Sequence, residues 1–290
     1  MPRSMTFFAL LLLPLGAVAQ ETYTLKKKPL AAGDKLMVDM KVRSKFEAEK
    51  WSPSGRLLVN SGSEGDDRLS FTLFPLKTDK AGKLTDYYRH FTKAVRIQGE
   101  QTFPLTMDGE KFLYQLRDGK LEILSEKAEK LPPTMALEVE GQSIPLDPAK
   151  VNWEELLPKK QVKVGESWWI EPRRWVEDYE VDKEKIKAYA NLKKVTNKEG
   201  MLVGSIDYVV DLPLTGTRYQ GNKLPIKEGS YLRYVAAVDM CIDGKSNYYV
   251  SSGTLHIVGK ARGPDSKGLD TRLDMTLHVE INERVGGSKK

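Results

Sequence analysis

The stretch LDMTLHVEI at 273–281 decides the fold class. Leu273, Met275, Leu277, Val279 and Ile281 are apolar, and Asp274, Thr276, His278 and Glu280 between them are polar. Strict alternation puts one set of side chains on each side of an extended chain, which predicts a strand with one buried face. A helix would spread the same residues around its circumference. Just upstream, TLHIV at 254–258 repeats the pattern, with Leu255 and Ile257 on one side and His256 on the other. If GPDSKG at 263–268 closes a hairpin, a register centred near residue 267 sets His256 opposite His278, both turned away from the apolar face. Directly opposed residues lie about 5 Å apart, close enough to share a metal ion or to titrate together. No third ligand is evident, and two ordinary sheet histidines are the simpler reading.

Period two runs through the rest of the chain. Leu36, Val38, Met40 and Val42 alternate with Met37, Asp39 and Lys41, and Leu69, Phe71 and Leu73 with Ser70 and Thr72. Ile206, Tyr208, Val210 and Leu212 follow the same rule, as do Leu232, Tyr234, Ala236, Val238 and Met240. Turn chemistry agrees: Asp118-Gly119 supplies the positive φ of a tight hairpin between 112–117 and 120–124, and NKEG at 197–200 closes another between 186–195 and 201–212. The segment from 183 to 195 also contains good helix formers, but the alternation of Ile186, Ala188, Ala190 and Leu192 favours a strand. One helix is signalled, with Asp147 as cap, Pro148 in the first turn and Pro158 as stop.

These patterns predict a mainly β protein of antiparallel curved sheets in two half-barrel-like lobes, with one or a few short helices. The lobes would be 20–146 and 159–290, joined by a helix at 147–158. A loose internal match supports the division. KPLAAGDKL at 28–36 and KQVKVGESW at 160–168 each carry a Lys, an aliphatic residue, a Gly-acid pair and a bulky apolar residue opening a strand.

The N-terminus reads as an export signal. Arg3 precedes the apolar run MTFFALLLLPL at 5–15, and Ala17-Val18-Ala19 offers the small-x-small pattern of a cleavage site. The run is shorter than the roughly 20 residues a spanning helix needs. Cleavage after Ala19, with no lipid-acceptor cysteine following, predicts a secreted or periplasmic mature chain of 20–290 with no transmembrane anchor.

Composition narrows the function classes. The 290 residues carry 46 Lys+Arg, 40 Asp+Glu and 40% hydrophobic residues, enough to bury a core. Basic and acidic residues are interleaved, as in KEKI at 183–186, which argues against nucleic acid. A single cysteine, Cys241, excludes an internal disulfide and any multi-cysteine metal centre, and its apolar surroundings predict a buried thiol. No cofactor is implied.

Catalytic signatures are weak. GES at 165–167 begins like a nucleophile elbow, but Trp169 stands where that turn needs glycine. The three histidines, His90, His256 and His278, form no zinc-protease motif. Glu154 and Glu155 are adjacent on the expected helix and point apart. Asp66-Asp67 in GSEGDD, and Glu177, Asp178, Glu180 and Asp182, read as loop carboxylates able to touch calcium, without the spacing of an EF-hand. No catalytic residue is assigned, and the chain reads as a non-enzyme.

The aromatic residues give the strongest lead. Trp153, Trp168, Trp169 and Trp175 are four of the five tryptophans, and all lie within 153–175. Adjacent Trp168 and Trp169 on a strand must face opposite sides, so one of them can leave the core and stack on a sugar or grip an apolar ligand. These four are the candidate ligand-binding residues.

With Pro158, Val162, Val164, Gly165, Ser167 and Trp168 in place, the chain resembles a group of exported bacterial proteins of unknown function. These share a signal peptide, a β-rich body and a mid-chain Pro-x3-Val-x-Val-Gly-acid-Ser-Trp motif. That resemblance implies no known catalytic residues. The β pattern is also similar in architecture to the lipoprotein-carrier fold, a curved sheet around an apolar cavity. The expectation is an exported protein that binds an apolar or envelope-derived ligand on the concave side of a sheet. The alternatives are a carbohydrate-binding or cell-surface module using exposed tryptophan and, more remotely, a hydrolase.

Overall fold

The computed structural model describes residues 21–79, 84–117, 120–141, 153–171, 179–219, 222–227, 229–264 and 269–286. In chain order the strands are β1 (Thr22–Tyr23), β2 (Lys35–Trp51), β3 (Leu57–Thr78), β4 (Leu84–Gln98), β5 (Gln101–Pro104), β6 (Lys111–Arg117), β7 (Lys120–Ser125) and β8 (Val162–Lys163). They continue as β9 (Ser167–Trp169), β10 (Tyr179–Val181), β11 (Lys187–Lys198), β12 (Met201–Tyr219), β13 (Asn222–Pro225), β14 (Tyr231–Cys241), β15 (Tyr249–Pro264) and β16 (Asp270–Gly286). The helical elements among the described residues are α1 (Pro133–Gly141), α2 (Trp153–Leu156) and a 3-10 turn at Lys183–Lys185.

Fourteen strands form one antiparallel sheet in the order β7-β6-β4-β3-β2-β16-β15-β14-β12-β11-β9, with β5 attached to β4 and β10 and β13 to β12. The path has two ends and does not close; β1 and β8 pair separately. The fold is therefore mainly β and antiparallel, as the alternation predicts. Apart from β1 and β8, the strands preceding residue 146 and those following 159 belong to the same sheet. They meet where β2 pairs with β16, from Lys35 opposite Gly286 to Trp51 opposite Asp270.

The hairpins fall where turn chemistry places them. β6 and β7 pair from Arg117 opposite Lys120, the Asp118-Gly119 turn itself lying outside the described residues. β11 and β12 are joined by Glu199 and Gly200, both at positive φ (52° and 82°), and Asn197 Oδ1 accepts from the Gly200 N–H at 3.1 Å. Two consecutive positive φ values make a turn whose twist matches that of the flanking strands.

The matched stretches at 28–36 and 160–168 form the same turn. Gly33 and Gly165 both have positive φ. The Asp34 and Glu166 N–H groups donate to the carbonyls of Ala31 and Lys163. The two acidic side chains accept in return from the Ala31 and Lys163 N–H groups, at 2.7 and 3.0 Å. Each turn launches a strand, β2 in one case and β9 in the other.

The inward face of the sheet forms one buried cluster, including Leu36, Val38, Leu69, Phe71, Leu73 and Leu192. Leu25, Met107, Val139 of α1, Leu156 of α2, Val162 and Ile170 close over that face from outside the main strands. Burying a side chain of this size contributes about 1.5–3 kcal/mol. Charged groups enter the core as well: Asp67, Asp86 and Arg89 are buried, and Arg89 is 3% exposed, its guanidinium 4.5 Å from the Phe71 ring centre and 4.6 Å from that of Tyr114.

Two sequence expectations need correction or completion. The carboxylates Asp66 and Asp67 are not in a loop but midway along β3, and Asp67 is buried in a two-pronged pair with Arg96 (2.8 and 2.9 Å). Two glycines and several polar residues there imitate loop composition, and pairing with β2 overrides it. Helix α1 carries no clear apolar periodicity; Pro133 in its first turn is the available signal. Of the helix expected at 147–158, residues 147–152 lie outside the described set and α2 occupies its end, before Pro158.

Candidate functional site: an outward aromatic row

Trp168 and Trp169 face opposite sides of β9. Trp168 is 7% exposed and its indole Nε1 donates to the Leu156 carbonyl at 2.9 Å, tying β9 to α2. Trp169 is 58% exposed. Trp153 opens α2, and its side chain, like the whole of Trp175, lies outside the described residues. The structure thus separates the two central candidates, one into the core and one onto the surface.

Trp169 does not stand alone. Across the ladder it is opposite Tyr189, which is opposite Val209, which is opposite Val235. Tyr189 and Val235 are 41% and 42% exposed, and Val209 is half-buried. Neighbouring strands lie about 4.8 Å apart, so these four side chains make an outward apolar row of about 15 Å. Sequence reasoning finds Trp169 but misses Tyr189, Val209 and Val235, because only the register shows that four separate strands contribute to one line.

Polar rows border it on both sides. Two residues along the strands lie Lys187, Asp211 and Arg233, with Arg233 bonded to Asp211 at 2.7 Å. On the other side lie Ser167, Asn191 and Asp207, and the Asn191 amide donates to Ser167 Oγ and to the Gly165 carbonyl, both at 2.9 Å. Ser167 is therefore a strand residue serving a turn, with Asn191 fixing its position.

His256 and His278 are directly opposite each other on β15 and β16, as the hairpin register requires, although 265–268 lie outside the described residues. Their ring centres are 5.6 Å apart, edge to face. Tyr231 Oη is 3.1 Å from His256 Nδ1, and His278 Nε2 is 3.8 Å from Glu280 Oε1. Burial, then the neighbouring His278 and Arg233, hold the His256 pKa below its ordinary 6.5. Among the described residues no group of three or more metal-ligating side chains occurs.

Of the other carboxylates singled out in the sequence, Glu177 and Asp178 lie outside the described residues. Asp182 caps the 3-10 turn, accepting from the Glu184 N–H and from Lys185 Nζ, and the lysine bond leads the lowering of its pKa. Glu180 sits on β10, opposite Gly216. Cys241 is buried, with its thiol 3.0 Å from Asp243 Oδ1. That thiol bond leads the causes that push the Asp243 pKa well below the carboxylate range, joined by the Leu202 and Lys245 N–H groups and opposed by burial. Lys27 lies over the Tyr249 ring at 4.8 Å, and burial lowers its pKa to about 8.

No family model matches the chain, and no curated protein does. Among solved structures it is similar to one of lipovitellin describing lipid–protein interactions, at 12% identity and a TM-score of 0.38. The match covers 89% of this chain and 25% of that one, so this chain spans about a quarter of the length of its structural neighbour. No helix among the described residues is long and apolar enough to cross a membrane.

Proposed function

We propose that this is an exported, non-catalytic binding protein that holds an apolar or amphiphilic envelope-derived ligand against the Trp169–Tyr189–Val209–Val235 row. The observation that carries the reading is that row: apolar side chains from four neighbouring strands, three of them exposed and Val209 half-buried, aligned on one sheet face between polar borders. The inward face, where such a ligand was first expected, is lined and covered by the chain's own side chains among the described residues. The outer row leaves apolar surface free. A flat line of this kind suits an alkyl chain or the face of a ring, while Lys187, Arg233 and Asp207 at its borders meet a polar head.

A second reading is saccharide stacking on Trp169 and Tyr189, favoured by the hydroxyl and amide of Ser167 and Asn191 beside the indole. One titration separates the two. Tryptophan emission is followed while the protein meets phosphatidylglycerol vesicles or, separately, soluble oligosaccharides. A blue shift with vesicles that Trp169→Ala abolishes supports the apolar reading. A response to oligosaccharide alone moves the assignment to sugars. No response to either, together with no apolar compound co-purifying from the native host, overturns both.

A further inference from the structure

The outer edge of β3 supports an inference independent of the ligand. β3 is bonded to β2 from Leu57 to Leu73, whereas β4 joins its other side only from Asp66 onward. Residues 57–65 therefore leave a sheet edge with no described strand against it, and every residue from 57 to 64 is exposed. This edge reads LLVNSGSEG, preceded by Arg56. Sheet edges are ordinarily protected by charges or proline, and from 57 to 63 there is neither. Instead Leu57, Leu58 and Val59 stand 39%, 49% and 42% exposed.

The edge is a notch of nine residues, about 30 Å long. The β2–β3 turn bounds it at one end. At the other, the tip of the β4–β5 hairpin leaves a cleft of about 820 Å³, lined by Arg43, Lys45, Glu64, Gln98, Gly99 and His278 among others.

We propose that this edge pairs antiparallel with the same edge of a second copy of the chain, about a two-fold axis at Asn60. In that register Leu57 faces Ser63 of the second copy, Leu58 faces Gly62 and Val59 faces Ser61. Every large apolar residue meets a small one. Arg56 faces Glu64, and symmetry makes that opposite-charge pair twice. Moving the axis to Ser61 sets Leu58 against Glu64 and Arg56 against Asp66, whose edge β4 already occupies. Moving it to Val59 sets Arg56 against Gly62 and leaves Glu64 beyond the strand, opposite Ser54. Charge complementarity selects the Asn60 axis and names the occupant, because the edge is complementary to itself.

Sedimentation velocity across a wide concentration range tests this. The purified protein is expected to form dimers. Arg56→Glu and Glu64→Arg, each replacing two opposite-charge pairs by two like-charge pairs, should weaken the dimer about tenfold or more. The double variant R56E/E64R restores the pairs and should restore the dimer. Both sites are exposed, and unchanged circular dichroism shows that the fold is kept. A protein that is monomeric throughout overturns the proposal. So does a dimer indifferent to the single swaps, or one that the double swap fails to rescue.

Discussion

The two halves of β3 share one strand and differ in nearly everything else. From Asp67 onward, residues 67, 69, 71, 73 and 75 are buried and those between them are not; from 57 to 64 every residue is exposed. The buried half has strands on both sides and the inward cluster below it. The open half has β2 on one side only. The nearby arm rests on a small cluster of Ala48, Ala261 and Leu273, with Phe46 and Ile226 against it. Hydrogen-bonded pairing and burial are thus separable: a ladder can run on into a stretch that buries almost nothing, and local stability falls along the same strand.

The largest expected effect breaks or confirms that contrast directly. Phe71→Ala should destabilise by about 3–5 kcal/mol, the range for emptying an aromatic core site. Leu58→Ala should stay within about 0.5 kcal/mol in the monomer, as for an exposed site. Urea unfolding of each variant reads both. Equal losses would show that the open half is buried after all.

The same strand shows what sequence can and cannot supply. Leu69, Phe71 and Leu73 declare the buried half, because alternation is a local signature of a one-sided environment. The glycines and carboxylates at 62–67 read as a loop, because composition there is silent about a partner strand distant in sequence. The His256–His278 opposition was legible because one hairpin fixes it. The Trp169–Tyr189–Val209–Val235 row was not, because it needs the registers of three strand pairs. The opposite facing of Trp168 and Trp169 follows from strand geometry alone, whereas which of them is buried depends on α2.

That pair gives the next test of inner against outer face. Trp168→Phe removes the indole donor to the buried Leu156 carbonyl and should cost about 1–3 kcal/mol. Trp169→Phe should leave the unfolding midpoint nearly unchanged, since its indole is mostly exposed. If the two cost the same, the division of β9 into a structural and a binding side fails.

A smaller effect sharpens the contrast on the buried side. Asp243 accepts from the Cys241 thiol and from two backbone N–H groups, which favours its charged form. Its folded pKa lies below the ordinary value of 3.8. The stabilisation is therefore complete above that value and is lost as pH falls towards the folded one. Asp243→Asn should cost about 1 kcal/mol near neutral pH. The gap between variant and parent, followed by urea midpoints, should close in acid. A gap that persists unchanged through strongly acidic conditions would mean that the carboxylate's charge is not what the loop uses.

The smallest effect belongs to the outer face. His256 is flanked on its ladder row by Arg233 on β14 and His278 on β16, with Arg43 beyond on β2. Tyr231 touches it, and Glu280 lies beside His278. Asp211 and Asp66 pair with the two arginines at 2.7 and 3.5 Å, so the surplus positive field is slight. Because the folded pKa is lowered, stability from the neutral ring is present above 6.5 and is lost as pH falls through the folded value. Proton NMR should therefore show His256 titrating below 6.5, and His278→Gln should move it upward by removing a like charge. Burial heads the causes, so that upward movement should be partial. Complete recovery to 6.5 would mean that the histidine pair, rather than partial burial on the sheet, sets the titration of this surface.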